Sequence, residues 1–177
     1  MKNPLNLVAA IGLALGAVFG MAGTFVSAAN LRATFWGIDG TGLVVATAIL
    51  AFKFFRRGSD LLATGFLVFA IGEGVLLSGV ALPLDAMVPT FCAGTALWAA
   101  ALLLTGIPQG FALWIRLVSV VGAILFLTTS ARILWGEQIL PTASPLPLLA
   151  YPFLVAAFLG WIWTLMREPQ RTDSPSG

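Results

Sequence analysis

Few side chains in this sequence could do chemistry in an apolar setting, and Glu73 stands first among them. It is flanked by Gly72 and Gly74, and its neighbours along a helical face, Phe66, Phe69, Leu76, Leu77 and Val80, are all apolar. In a helix that starts near Asp60 and rises about 1.5 Å per residue, Glu73 lies about 20 Å into a bilayer core about 30 Å thick. A charged carboxylate at that depth costs at least about 2.5 kcal/mol, so it must face an interior, be paired or be protonated. Two roles follow. Glu73 is either a proton or cation site that anchors a polar ligand, or a neutral, hydrogen-bonded carboxyl that fixes helix packing.

Arg116 and Arg132 are its candidate partners, and each has a competing role as a long side chain reaching for headgroups from near a helix end. Arg132 has the more polar surroundings, with Thr128, Thr129 and Ser130 before it and Glu137 after it. Together with Arg32, Asp39 and Asp85, expected in loops on the same side, it outlines a candidate outer vestibule above Glu73. Asp39 and Asp85 read alternatively as residues that begin the second and fourth helices. Thr90, Cys92 and Thr95 suit either the lining of that cavity or helix packing, and Trp98 reads as core filler.

The remaining chemistry is narrow. With no His, the chain has no imidazole ligand and no imidazole base. Its one Cys cannot form an intramolecular disulfide, and no zinc-ligand spacing, phosphate-binding glycine loop or nucleophile–base arrangement appears. The sequence therefore predicts no enzyme, no metal and no cofactor.

These residues must be positioned by membrane helices. Of the 177 residues 59% are apolar and 9% charged, with a mean hydropathy of +1.01, against about 25% charged residues in an ordinary soluble domain. That excludes a soluble enzyme, a disordered chain and a nucleic-acid binder. A bilayer needs roughly 20 apolar residues per helix, and six segments qualify: Leu5–Ala28, Gly40–Phe55, Leu61–Leu82, Met87–Ile107, Phe111–Trp135 and Leu148–Met166. Pro and Gly mark their boundaries at Pro83 and Pro89, Pro108 and Gly110, and Pro141, Pro145 and Pro147. Ser59 and Asp60 read as cap and first-turn residues of the third helix.

The expectation is an all-α, polytopic membrane protein: one six-helix bundle over residues 1–167 and a short cytoplasmic tail over 168–177. Lys2, Lys53, Arg56, Arg57, Arg167 and Arg171 fall on the side of both termini, against Arg32 alone opposite. The positive-inside rule makes that side cytoplasmic. Trp36, Trp135 and Tyr151 are expected at the outer interface, and Trp114, Trp161 and Trp163 at the inner one. Lys2 and the apolar run ending Val26-Ser27-Ala28 resemble a signal peptide, but the run exceeds the usual h-region of about 7–15 residues and reads as a retained first helix.

Two glycine stripes speak of close helix contacts. Gly12, Gly16 and Gly20 recur every fourth residue, the small-xxx-small pattern that lets helix backbones approach. The stripe suits a neighbouring helix of the same chain or, alternatively, a second copy or a partner membrane subunit. Gly58, Gly65, Gly72 and Gly79 recur every seventh, as in a left-handed crossing.

The stretch Phe54-Phe55-Arg56-Arg57-Gly58-Ser59-Asp60-Leu61-Leu62-Ala63-Thr64-Gly65-Phe66, leading to Glu73-Gly74-Val75-Leu76-Leu77, resembles an uncharacterised bacterial family of six- to seven-helix membrane proteins, a domain of unknown function. The turn Gly106-Ile107-Pro108-Gln109-Gly110-Phe111 and the run Leu117 to Ala123 are similar to it as well. The resemblance implies a basic turn, an acidic helix-capping residue and a Glu partway along the next helix. This chain departs from the pattern in having Ala70 where an Arg is expected, and Tyr151-Pro152 where an acidic residue is expected. The resemblance thus implies a fold, and a Glu73 that is protonated or partnered elsewhere. The function expected is a small multi-pass protein of the plasma (inner) membrane, transporter-like or ligand-binding, centred on Glu73. The alternative is a scaffold subunit that binds a partner through the Gly12/Gly16/Gly20 face.

Overall fold

The structure, a computed structural model, describes residues 4–167. Lys2, Arg171 and the expected tail over 168–177 lie outside the described residues. Six helices follow one another: α1 (Pro4–Phe25), α2 (Ala29–Phe55), α3 (Asp60–Gly79), α4 (Val88–Gly106), α5 (Leu113–Leu134) and α6 (Tyr151–Arg167). Among the described residues there is no strand. The first five are long and apolar enough to cross a membrane; α6, with 17 residues, is shorter. The chain is thus a helical, multi-pass type of membrane protein.

Two boundaries differ from expectation. Residues 29–39, read as an outer loop, form the first turns of α2. Arg32, Gly37 and Asp39 depress the hydropathy there, but the segment contains no proline and consists mostly of residues that tolerate a helix. The last span begins at Tyr151 rather than Leu148, because Pro145 and Pro147 hold the preceding residues in turns.

Each helix packs on the next in sequence, and α6 packs on both α5 and α1, so the six close into a ring. Asn6 Nδ2 donates to the Leu165 carbonyl at 3.4 Å and Lys53 Nζ donates to Asn6 Oδ1 at 2.9 Å. The start of α1 and the ends of α2 and α6 therefore meet at one end of the ring. α2 stops there at Phe55, and Gly58, with a φ of +68°, closes the turn that follows while Ser59 N–H reaches back to the Phe54 carbonyl at 3.0 Å. This fixes Gly58 as a turn residue rather than part of the seven-residue stripe. Ser59 makes no side-chain cap.

The stripes are used inside the chain. A Cβ on Gly12 would lie 2.9 Å from the Ala46 Cβ, and the Gly42 carbonyl oxygen would be closer still. Gly16 makes room for Leu43, and Gly20 for Asp39. The whole Gly12/Gly16/Gly20 face is thus taken up by α2, which fills the surface considered for a partner helix. Gly65, Gly72 and Gly79 pack on α4, against Thr105, Leu97 and Thr90. Close backbone approach yields dispersion contact, the main attraction available between helices already in lipid. The ring's outside carries large apolar side chains such as Ile11, Val45, Ile71, Val121 and Leu159.

Candidate functional site

The centre of the ring is divided. Towards the end where α1 starts and α6 ends, Phe54, Phe66, Phe111 and Trp161 form an aromatic cluster, with Phe54 and Phe66 stacked at 5.4 Å and Trp161 edge-on to Phe66 at 4.8 Å. Phe69, Trp98, Phe126 and Phe158 continue it through the middle. Towards the opposite end the packing gives way to a cavity of about 70 Å³. Water takes about 30 Å³ of liquid volume per molecule, so a few small atoms fit.

Glu73 projects into this cavity from α3. It is only 2% exposed, and its Oε1 has no hydrogen-bond partner among the described residues. The indole N–H of Trp98, on the facing α4, lies near the carboxyl without reaching hydrogen-bond geometry. Gly72, one residue before Glu73, brings α3 against α4: a Cβ there would lie 3.0 Å from Leu97 Cβ and 3.3 Å from the Trp98 ring. Glu73 thus sits where two backbones are held close and a polar indole edge faces it.

The second acid of the cavity is Asp39. Its place in α2, about 15 Å along a helix that begins at Ala29, corrects the loop and helix-start readings. A Cβ on Gly20 would meet its Oδ2 at 2.9 Å, so the glycine is what allows the carboxyl to lie against α1. The Gly20 carbonyl itself accepts from Thr24 Oγ1 at 2.9 Å and Trp36 Nε1 at 3.4 Å, which leaves it little further capacity. Asp39 and Glu73 line the same cavity, one from α2 and one from α3.

The other charged candidates go elsewhere. Arg116 donates from Nε to the Gly106 carbonyl at 3.0 Å and from Nη2 to the Ile107 carbonyl at 2.7 Å. It caps the end of α4 and does not pair with Glu73, because the α4–α5 turn brings those unsatisfied carbonyls within reach. Arg132 grips the Glu137 carboxylate, with Nε at 2.9 and 3.0 Å from its two oxygens. Gly136 at φ +97° and the Glu137 N–H bond to the Arg132 carbonyl make this a helix-end device. The Arg132 hydrogen bonds hold the Glu137 carboxyl below its usual range. Arg32 lies over the Trp36 ring at 5.7 Å, and Asp85 is exposed on the α3–α4 turn. The vestibule of Arg32, Arg132 and Asp85 is therefore not assembled; Asp39 alone joins Glu73.

Hydroxyl and aromatic readings sort in the same way. Thr95 and Ser130 share a 2.8 Å hydrogen bond, and Cys92 Sγ donates to the Ser130 carbonyl at 3.5 Å, so both fasten α4 to α5 away from the cavity. Thr90 packs on Gly79. Trp98 is both core and cavity wall. Trp114, Trp135 and Trp163 are exposed, as interfacial residues should be, but Trp161 lies in the aromatic core, and Trp36 and Tyr151 face the cavity. Tyr151 was missed because Tyr next to Pro at a span boundary reads as an interface anchor. Its hydroxyl donates to the Pro141 carbonyl at 2.7 Å, drawing the α5–α6 segment over the cavity.

No protein-family model, curated protein or solved structure matches the chain. Among the described residues no cluster of three His, Cys, Asp or Glu could hold a metal ion. Chemically, the site consists of two carboxyls, two engaged hydroxyls and aromatic surface, with no basic residue in its lining.

Proposed function

We propose that this protein is a non-enzymatic, six-span protein of the plasma membrane that binds a positive charge, a proton or a small cation, between Asp39 and Glu73, in the manner of a transporter's central site. The observation that carries this reading is the Glu73 carboxyl: 2% exposed, with one oxygen unpartnered, beside a second acid in a cavity with no basic side chain. Two carboxylates sharing a low-dielectric site need a compensating positive charge.

The orientation follows from charge. Lys53, Arg56, Arg57 and Arg167 gather at the end opposite the cavity, which the positive-inside rule places in the cytoplasm together with both termini. The cavity then belongs to the outer half of the ring.

The test is a pH titration of intrinsic tryptophan fluorescence on the full chain in lipid nanodiscs, since Trp36 and Trp98 both line the cavity. The titratable groups lining the cavity are Asp39, Glu73 and Tyr151. The wild type should show a transition that Glu73→Gln and Asp39→Asn each shift and the double variant removes, with every variant eluting as a monodisperse species. An identical transition in all four proteins would refute the reading.

A further inference from the structure

On the reading that Asp39 and Glu73 form a cation site, we propose that its ligand is a small organic cation, a primary ammonium or guanidinium ion of a few heavy atoms, rather than a metal ion. The argument rests on what surrounds the two acids. A hard metal ion asks for six or more oxygen ligands at short range. Beyond the carboxyls, the side-chain oxygens in the lining are the hydroxyls of Thr24 and Tyr151, whose protons point to backbone carbonyls, so a hard ion would need both hydroxyls and all four carboxylate oxygens at once.

Most of the remaining wall is aromatic or aliphatic, with the rings of Trp36, Phe91, Trp98, Tyr151 and Phe158 contributing. Aromatic faces attract weakly hydrated cations through their quadrupoles, and the attraction grows when the ion is desolvated. One of these rings already holds an organic cation from outside the lining: the Arg32 guanidinium stands over Trp36 at 5.7 Å. The volume of about 70 Å³ sets the size. It accommodates a methylammonium or guanidinium ion, whose N–H donors can reach both carboxyls while the rest meets aromatic surface.

Thermal unfolding of the purified full chain, with methylammonium chloride, guanidinium chloride at low millimolar concentration, or sodium chloride at matched ionic strength, tests the assignment. A ligand that binds the folded state raises Tm with concentration. The expected result is a saturable rise with methylammonium or guanidinium and none with sodium. The half-saturation point should weaken roughly tenfold or more in Glu73→Gln and in Asp39→Asn, and roughly three- to tenfold in Trp36→Leu. Each variant must elute as the wild type does, so either acid variant suffices if the other misfolds. If sodium or protons give a response that depends on Asp39 and Glu73 while the organic ions give none, the ligand class is wrong and the cation site stands. Failure of every cation and of pH to produce a response dependent on these acids overturns both.

Discussion

The two halves of the ring's interior are built from the same helices and reach opposite results. In the half where α1 starts and α6 ends, Phe54, Phe66, Phe111 and Trp161 pack ring against ring. In the other half, Gly16 and Gly20 of α1 admit Leu43 and Asp39 of α2, and α2 and α3 each contribute an acid to the cavity wall. The contrast teaches that the chain can pack aromatic rings densely around its axis. An unpaired carboxyl beside an open volume is therefore a local feature and not a sign of a loosely built bundle. In lipid, where the hydrophobic effect does not drive helices together, such density is what holds the ring.

The sharpest way to break the contrast is to open the filled half. Phe66→Ala removes a fully buried ring stacked on Phe54 and edge-on to Trp161, and should cost about 3–5 kcal/mol of stability. A fall in Tm with the cavity's pH response retained would keep the two halves distinct. Next comes Glu73→Leu, which removes an unsatisfied oxygen and adds apolar volume to the open half. It should stabilise the protein by about 1–3 kcal/mol, the desolvation cost of a buried polar group left unpaired, and abolish the cavity's response to cations. A loss of stability instead would make Glu73 a packing residue. The smallest effect belongs to Arg132→Ala, which breaks an exposed pair with Glu137 and should leave Tm at neutral pH within measurement scatter. Because the pair lowers the Glu137 pKa, its contribution is present above the ordinary Glu value of about 4.3 and fades as pH falls through the lowered one. Any difference between Arg132→Ala and wild type should therefore vanish in acid, as paired melts at pH 7 and pH 2 would show.

The helices and Glu73 were legible in the sequence because both announce themselves locally. Long apolar runs end at Pro and Gly, and a lone acid in such a run has no ordinary place in a bilayer. Asp39 was legible as a residue of the vestibule above Glu73, but not as part of a helix. Its neighbours Arg32, Gly37 and Gly40 make the segment look like a loop on hydropathy alone, and the reason it fits inside a helix is a glycine on another one, Gly20. The spacing of Trp36, Asp39 and Leu43, three and four residues apart on one face, was the available signal. Arg116 failed for the same reason in reverse. Position along its own helix suggests snorkelling, while the partner that claims it, the open end of α4 at Gly106 and Ile107, belongs to the element before. Sequence periodicity shows which face a residue occupies, and neighbouring elements decide what that face meets.

The helix lengths bear on the membrane itself. α2 has 27 residues and α6 has 17, about 40 Å and about 25 Å at 1.5 Å per residue. A hydrocarbon core about 30 Å thick is too thin for the first and too thick for the second. α2 can tilt, but α6 can be matched only by bilayer thinning or by the turn segment that leads into it. Hydrophobic mismatch thus falls unevenly around the ring and is concentrated at the helix that supplies Tyr151, Leu154 and Phe158 to the cavity wall. On the six-span reading, lipid chain length becomes a variable that acts on the cavity through α6.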